Sequence, residues 1–180
     1  YSFFDTACDT SHVHGMIERI GLSGTRHLHH GPDGGRSSDL PTGSYAEAFD
    51  ALLGALTDPK TGVIHSPEEV SLVGHRVVHG GARFTEGTVI TDAVLAGLEQ
   101  LNPLAPLHNP VNLAGILEAR RVFPQAPQVA VFDTAFHHTI PSYAHLYGLP
   151  HEYGETKGVR RYGFHGLSHA YVGLAAAQFL

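Results

Sequence analysis

Two short apolar runs, Leu72 to Val78 and Gln128 to Phe132, are rich in β-branched residues and are separated by segments of helical period. Each run empties into a polar loop: the first into His79-Gly80-Gly81, the second into Asp133-Thr134. Apolar runs of five to eight residues closed by turn signals read as largely buried strands, and strands alternating with helices predict an α/β fold. Helical spacing is found at Tyr45 to Leu56, Thr91 to Leu101 (starting at Asp92), Asn109 to Phe123 behind an Asn cap with proline next, and Leu167 to Leu180. Val13, Met16, Ile17 and Ile20 give the same spacing, so Ser11 to Ile20 is expected to be a short helix stopped by Gly21. Thr25 to His30 is expected to be a strand, and Gly31 to Gly35 a turn.

The 180 residues suffice for a single domain, and 42% hydrophobic content excludes a disordered or collagen-like chain. No run approaches the roughly 20 apolar residues of a bilayer span. Net charge is -6, with two lysines and nine arginines, which leaves no basic stripe for nucleic acid and no polybasic membrane anchor. An anion must therefore be held locally, by a few placed arginines, helix ends or a metal. One cysteine, Cys8, excludes an internal disulfide framework and suits a reducing, cytoplasmic setting. The chain opens without methionine and closes inside an apolar helical run, so it reads as a piece of a longer protein.

Four segments concentrate chemistry. In His75-Arg76-Val77-Val78-His79-Gly80-Gly81 a guanidinium stands in an apolar strand, where it needs an anionic partner. That partner is either a substrate carboxylate or phosphoryl group, which arginine's planar donors match in pairs, or a structural acid. Asp133, at a strand's C-terminal end, is placed for a metal, a water or an arginine, or as the cap of the next turn. In Leu104-Ala105-Pro106-Leu107-His108-Asn109-Pro110, prolines freeze a backbone that serves a rigid pocket wall or a plain helix entry. In Arg160-Arg161-Tyr162-Gly163-Phe164-His165-Gly166-Leu167-Ser168-His169, two histidines four apart have metal-ligand spacing. No third ligand is evident, and Gly166 stands where a metalloprotease helix has glutamate, which argues against zinc catalysis. His29-His30 and His137-His138 are adjacent pairs whose side chains diverge on regular structure, so they are poor chelates.

Taken together, in this order, the four segments resemble the acetate kinase family of short-chain acyl phosphotransferases, within the sugar kinase and actin superfamily. The matching stretch runs from about Leu72 to Val172, with Leu167 where the family usually has threonine. The resemblance implies the N-terminal half of a two-domain kinase, with a ribonuclease H-like mixed sheet flanked by helices and the whole chain as one acyl-substrate-binding domain. It implies reversible phosphoryl transfer between ATP and acetate, with magnesium, as a step of acetate metabolism and acetyl-CoA supply. By position, Arg76 is the substrate-binding arginine, Asp133 the active-site acid and His165 the transition-state stabiliser. Val78, Leu107 and Phe164 line the acetate methyl pocket, with His108 beside them. The first strand with its phosphate hairpin, the adenosine site, the principal magnesium ligands and the homodimer contacts are expected outside these residues.

Acetate is already ionised at neutral pH, so it offers no proton to a base. Asp133 is therefore expected to orient Arg76 or to hold magnesium through its water shell. Each further methylene of a longer acid gains only about 0.8 kcal/mol from burial, so rejection of longer acids must be steric. The competing readings are a propionate or butyrate kinase, a histidine-rich metal-binding module and an inactive regulatory relative.

Overall fold

Backbone pairing carries the first part of the chain, whose strands hold few buried side chains. The computed structural model describes residues 1–7 and 10–180, so Cys8 lies outside the described residues. Strands β1 (Ser2–Asp5), β2 (Thr10–Glu18), β3 (Thr25–Gly31) and β4 (Gly34–Leu40) form an antiparallel meander in the order β1-β2-β3-β4. The expected helix at Ser11 to Ile20 is thus strand β2. Val13 is buried between exposed His12 and His14, while Met16 is exposed, so the apolar residues sit on a pleat and not on a helical stripe. The ladder of β3 and β4 closes with Gly31 opposite Gly34 around Pro32-Asp33, the turn expected there.

Helix α1 (Tyr45–Leu56) follows as expected, with Ser44 as its cap accepting from the Glu47 N–H at 3.1 Å. It buries Ala48, Leu52 and Leu56. A polar trio lies on the sheet: the half-buried Tyr1 hydroxyl meets His27 Nε2 at 2.7 Å and His29 Nδ1 at 2.6 Å. Burial pushes the Tyr1 hydroxyl up to about 12 and lowers both imidazoles.

The second part is organised by parallel pairing of β5 (Val73–Val77) with β7 (Gln128–Phe132), which also pairs antiparallel with β6 (Thr88–Val89). The sheet order β5-β7-β6 leaves β5 at an edge, with Gly74 and Arg76 exposed and Val77 buried. The expectation of a largely buried strand is corrected accordingly: one face of β5 is open. Helix α2 (Asp92–Glu99) begins one residue after its cap, Thr91, whose hydroxyl accepts from the Val94 N–H. Helices α3 (Asn109–Val122), α4 (Ser142–His145), α5 (His151–Lys157) and α6 (Gly166–Phe179) complete the chain, with 3-10 turns at Pro67–Glu69, Asn102–Leu104 and Ala135–Thr139. Two compact units result: Tyr1–Ser71 with Ala114–Ala126, and Leu72–Leu113 with Pro127–Leu180. All four chemistry-bearing segments belong to the second. Among the described residues no helix is long and apolar enough to cross a membrane.

Candidate functional site

Parallel pairing sets Arg76 opposite Val131 and delivers the ends of β5 and β7 side by side, where Asp133 donates its backbone N–H to the Val77 carbonyl at 3.0 Å. From these adjacent ends Arg76 and Asp133 meet as a fork. Arg76 Nε donates to Asp133 Oδ1 at 2.9 Å and Nη2 to Oδ2 at 2.6 Å. The pair is asymmetric in its surroundings, because the Asp133 side chain is 2% exposed and the Arg76 side chain 59%. The carboxylate's hydrogen bonds and charge push the guanidinium above its already high pKa, so Arg76 stays a cation. A guanidinium has five N–H groups; two bind Asp133 and three remain for a ligand. The structural acid anticipated for Arg76 is therefore Asp133, and donor capacity is left over. Asp133 does not cap the following turn, since both its oxygens are turned to Arg76.

Arg76 and Asp133 line one open cleft of about 570 Å³ with His165, Leu167, Ser168 and His169. His165 has φ 55°, a left-handed conformation that costs a non-glycine residue energy, and it immediately precedes α6. The next residue fixes this turn: the Gly166 N–H donates to the Asp133 carbonyl at 2.8 Å, and a Cβ at 166 would overlap that same oxygen. Leu167 and Ser168 of the first turn of α6 line the cleft, and the helix dipole there adds to the positive charge of Arg76.

A second set of bonds ties the remaining segments together around the loop after β5. The Asn109 side chain, 1% exposed, accepts from the His79 N–H at 3.2 Å and donates to the His79 carbonyl at 3.0 Å. Asn109 is expected as a helix cap, but its amide is committed to this loop. One turn on, Asn112 Oδ1 accepts from the Val78 N–H at 3.1 Å, and the Thr134 hydroxyl accepts from the Gly80 N–H at 3.0 Å. Gly81, at φ 61°, donates its N–H to His79 Nδ1 at 2.9 Å, which places the His79 proton on Nε2. Burial lowers the His79 pKa, and Tyr162 and Phe164 pack edge-on against its ring.

Of the residues singled out from sequence, Arg76, Asp133 and His165 share the cleft. Val78, Leu107, His108 and Phe164 do not line it: Leu107 is 81% exposed, His108 and Phe164 are exposed, and Val78 is half-buried in the His79 loop. Sequence reading missed the positioning roles of Asn109, Asn112 and Thr134; the signal was present in the three-residue spacing of two asparagines at a helix start. His137 and His138 diverge as expected, onto the carbonyls of Phe164 and Ala135. Among the described residues no three His, Cys, Asp or Glu side chains stand together as a metal site, which leaves the metal-module reading without a ligand set. Among the described residues Asp133 is the only carboxylate lining the cleft, and Arg76 engages both its oxygens, which suits contact with a magnesium ion through its water shell.

The profile of the Acetokinase family matches residues 1–180. The chain is 46% identical over 183 residues to an acetate kinase of Desulfitobacterium hafniense, covering 100% of this chain and 45% of that protein. It is 49% identical over 166 residues to an acetate kinase of Thermotoga maritima, covering 92% of this chain and 41% of that protein. A crystal structure of Porphyromonas gingivalis acetate kinase superposes with a TM-score of 0.92 at 39% identity, covering 99% of this chain and 45% of that one. A propionate kinase from Francisella tularensis superposes with a TM-score of 0.91 at 37% identity, covering 99% and 45%. The chain thus spans less than half the length of these relatives, at identities that fix both ancestry and the mixed α/β architecture. It belongs to the acetokinase family.

Proposed function

We propose that this chain carries the acid-binding half of an acetate kinase, which in the whole protein interconverts ATP and acetate with ADP and acetyl phosphate. The observation that carries the reading is the Arg76–Asp133 fork facing His165 across one cleft. An acetate carboxylate oxygen attacks the γ-phosphorus, a new O–P bond forms, and the bond from that phosphorus to ADP breaks. No proton moves, because acetate enters as the anion. The obstacle is charge: two anions approach, and the three unpaired Arg76 donors offset their repulsion. His165 donates to an equatorial oxygen of the loose phosphoryl transition state. Asp133 acts as a positioning residue that holds the guanidinium plane, not as a base. Magnesium, when bound, would spread the triphosphate's charge; its principal ligands and the adenosine site are assigned to the rest of the protein, as are the homodimer contacts. Val78, Leu107, Phe164 and His108 keep their assignment to the acetate pocket, completed by those other residues.

The test is Arg76→Lys in the full-length protein, which keeps the charge and loses the planar fork. Loss of one preorganised donor set is worth about 3 to 4 kcal/mol, so kcat/KM for acetate should fall roughly 100- to 1000-fold in a hydroxamate assay of acetyl phosphate. Unchanged kcat/KM would remove Arg76 from the site. The propionate kinase neighbour favours a second reading, propionate as the preferred acid. Comparing kcat/KM for acetate, propionate and butyrate separates them; acetate is expected to lead, propionate to be accepted and butyrate to be poor.

A further inference from the structure

A smaller cavity in the second unit shares no residue with the Arg76 cleft. It has a volume of about 100 Å³ and lies at the Gly81–Ala82 turn. Among the described residues no carboxylate lines it. Its charged group is Arg160, which has no acidic partner among the described residues. The Arg160 guanidinium lies 5.1 Å above the Tyr162 ring, and its one hydrogen bond runs from Nε to the Arg161 carbonyl at 3.3 Å, leaving four N–H groups unused. Thr134, only 3% exposed, also lines the cavity. Its oxygen accepts from the Gly80 N–H, which leaves its own O–H to donate to a ligand. Thr85 adds a second hydroxyl.

A buried hydroxyl proton and an unpaired guanidinium converging on a small, carboxylate-free cavity call for an acceptor with negative charge. A volume of about 100 Å³ suits one small group. We propose that this pocket binds a single small oxyanion, a carboxylate or a phosphate, held by Arg160 and Thr134 and separate from the acid bound at Arg76. This site does not depend on the phosphotransferase reading.

The test is calorimetric titration of the full-length protein with inorganic phosphate and, separately, with acetate. The wild type, Arg76→Ala, Arg160→Gln, Arg160→Lys and Thr85→Ala are compared, with thermal unfolding as the fold control. Phosphate binding should survive in Arg76→Ala, weaken tenfold or more in Arg160→Gln, and weaken less in Arg160→Lys and Thr85→Ala. Thr85→Ala and Arg160→Lys carry the test if Arg160→Gln does not fold. Acetate displacing the Arg160-dependent phosphate supports the site as a carboxylate site; phosphate binding without displacement supports it as a phosphate site. Anion binding that is equal in Arg160→Gln and wild type, or that vanishes in Arg76→Ala, overturns it. Loss of turnover in Arg76→Ala with the Arg160-dependent binding intact leaves both proposals standing.

Discussion

The Arg76–Asp133 pair is lopsided, and that fixes how each half responds to mutation. Removing Arg76 strands a carboxylate that is 2% exposed, whereas removing the charge of Asp133 frees a guanidinium that already reaches solvent. An uncompensated buried acceptor costs about 1 to 3 kcal/mol, while an exposed cation losing its partner costs about 0 to 1 kcal/mol. Arg76→Ala is therefore expected to lower the urea-derived stability more than Asp133→Asn, although both impair turnover. An equal or reversed order would show that the carboxylate is not buried by the fold. Sequence identified Arg76 as a guanidinium in need of a partner, and Asp133 as a strand-end acid. It left open whether the two meet, because 57 positions separate them and only the parallel register of β5 and β7 brings them together.

At the scale of elements, the His79 loop is held by side chains that reach across from α3 and from the end of β7. Asn109→Ala should leave the buried His79 N–H and carbonyl without partners, at a cost of about 2 kcal/mol or more in denaturant unfolding, far above a surface change. The lowered pKa values of His27, His29, His75 and His79, all driven first by burial, give a pH dependence. Each ring is neutral in the fold and takes a proton more readily once unfolded, near pH 6.5. Stability from these rings is complete above that value and is lost as pH falls through it toward the depressed folded values. The urea midpoint should thus drop between pH 7.5 and 5.5; a rise on acidification would contradict the burial of these imidazoles. Elements with caps and strong period, α1 and β7 above all, were legible at their observed bounds. Strand β4 (Gly-Gly-Arg-Ser-Ser-Asp-Leu) was not, since it is exposed nearly throughout and exists through its ladder to β3. Val13, Met16, Ile17 and Ile20 follow helical spacing, and pairing on both edges of Thr10–Glu18 overrode it.

At the scale of the whole molecule, α6 is apolar on every side. Beyond Gly166 and the half-buried Ala170 its residues are exposed, with Phe179 at 91%. A helix hydrophobic all round is a buried helix in a larger structure, which accords with a chain spanning 45% of its relatives. A polypeptide of these 180 residues is expected to bind a hydrophobic dye, to self-associate in sedimentation, and to form no acetyl hydroxamate. Only the full-length protein is expected to form acetyl hydroxamate, and hydroxamate formation by the isolated chain would place the complete site within it. The linear order of residues determined the capped helix at Tyr45–Leu56 and the strand at Gln128–Phe132, and it marked Arg76, Asp133 and His165 as candidates, since period, turn chemistry and side-chain type are local properties. The convergence of Arg76, Asp133 and His165, and the bracing of the His79 loop by Asn109 and Thr134, were decided only in three dimensions. Strand register and loop docking are contacts between distant residues, and no local pattern encodes the distance between them.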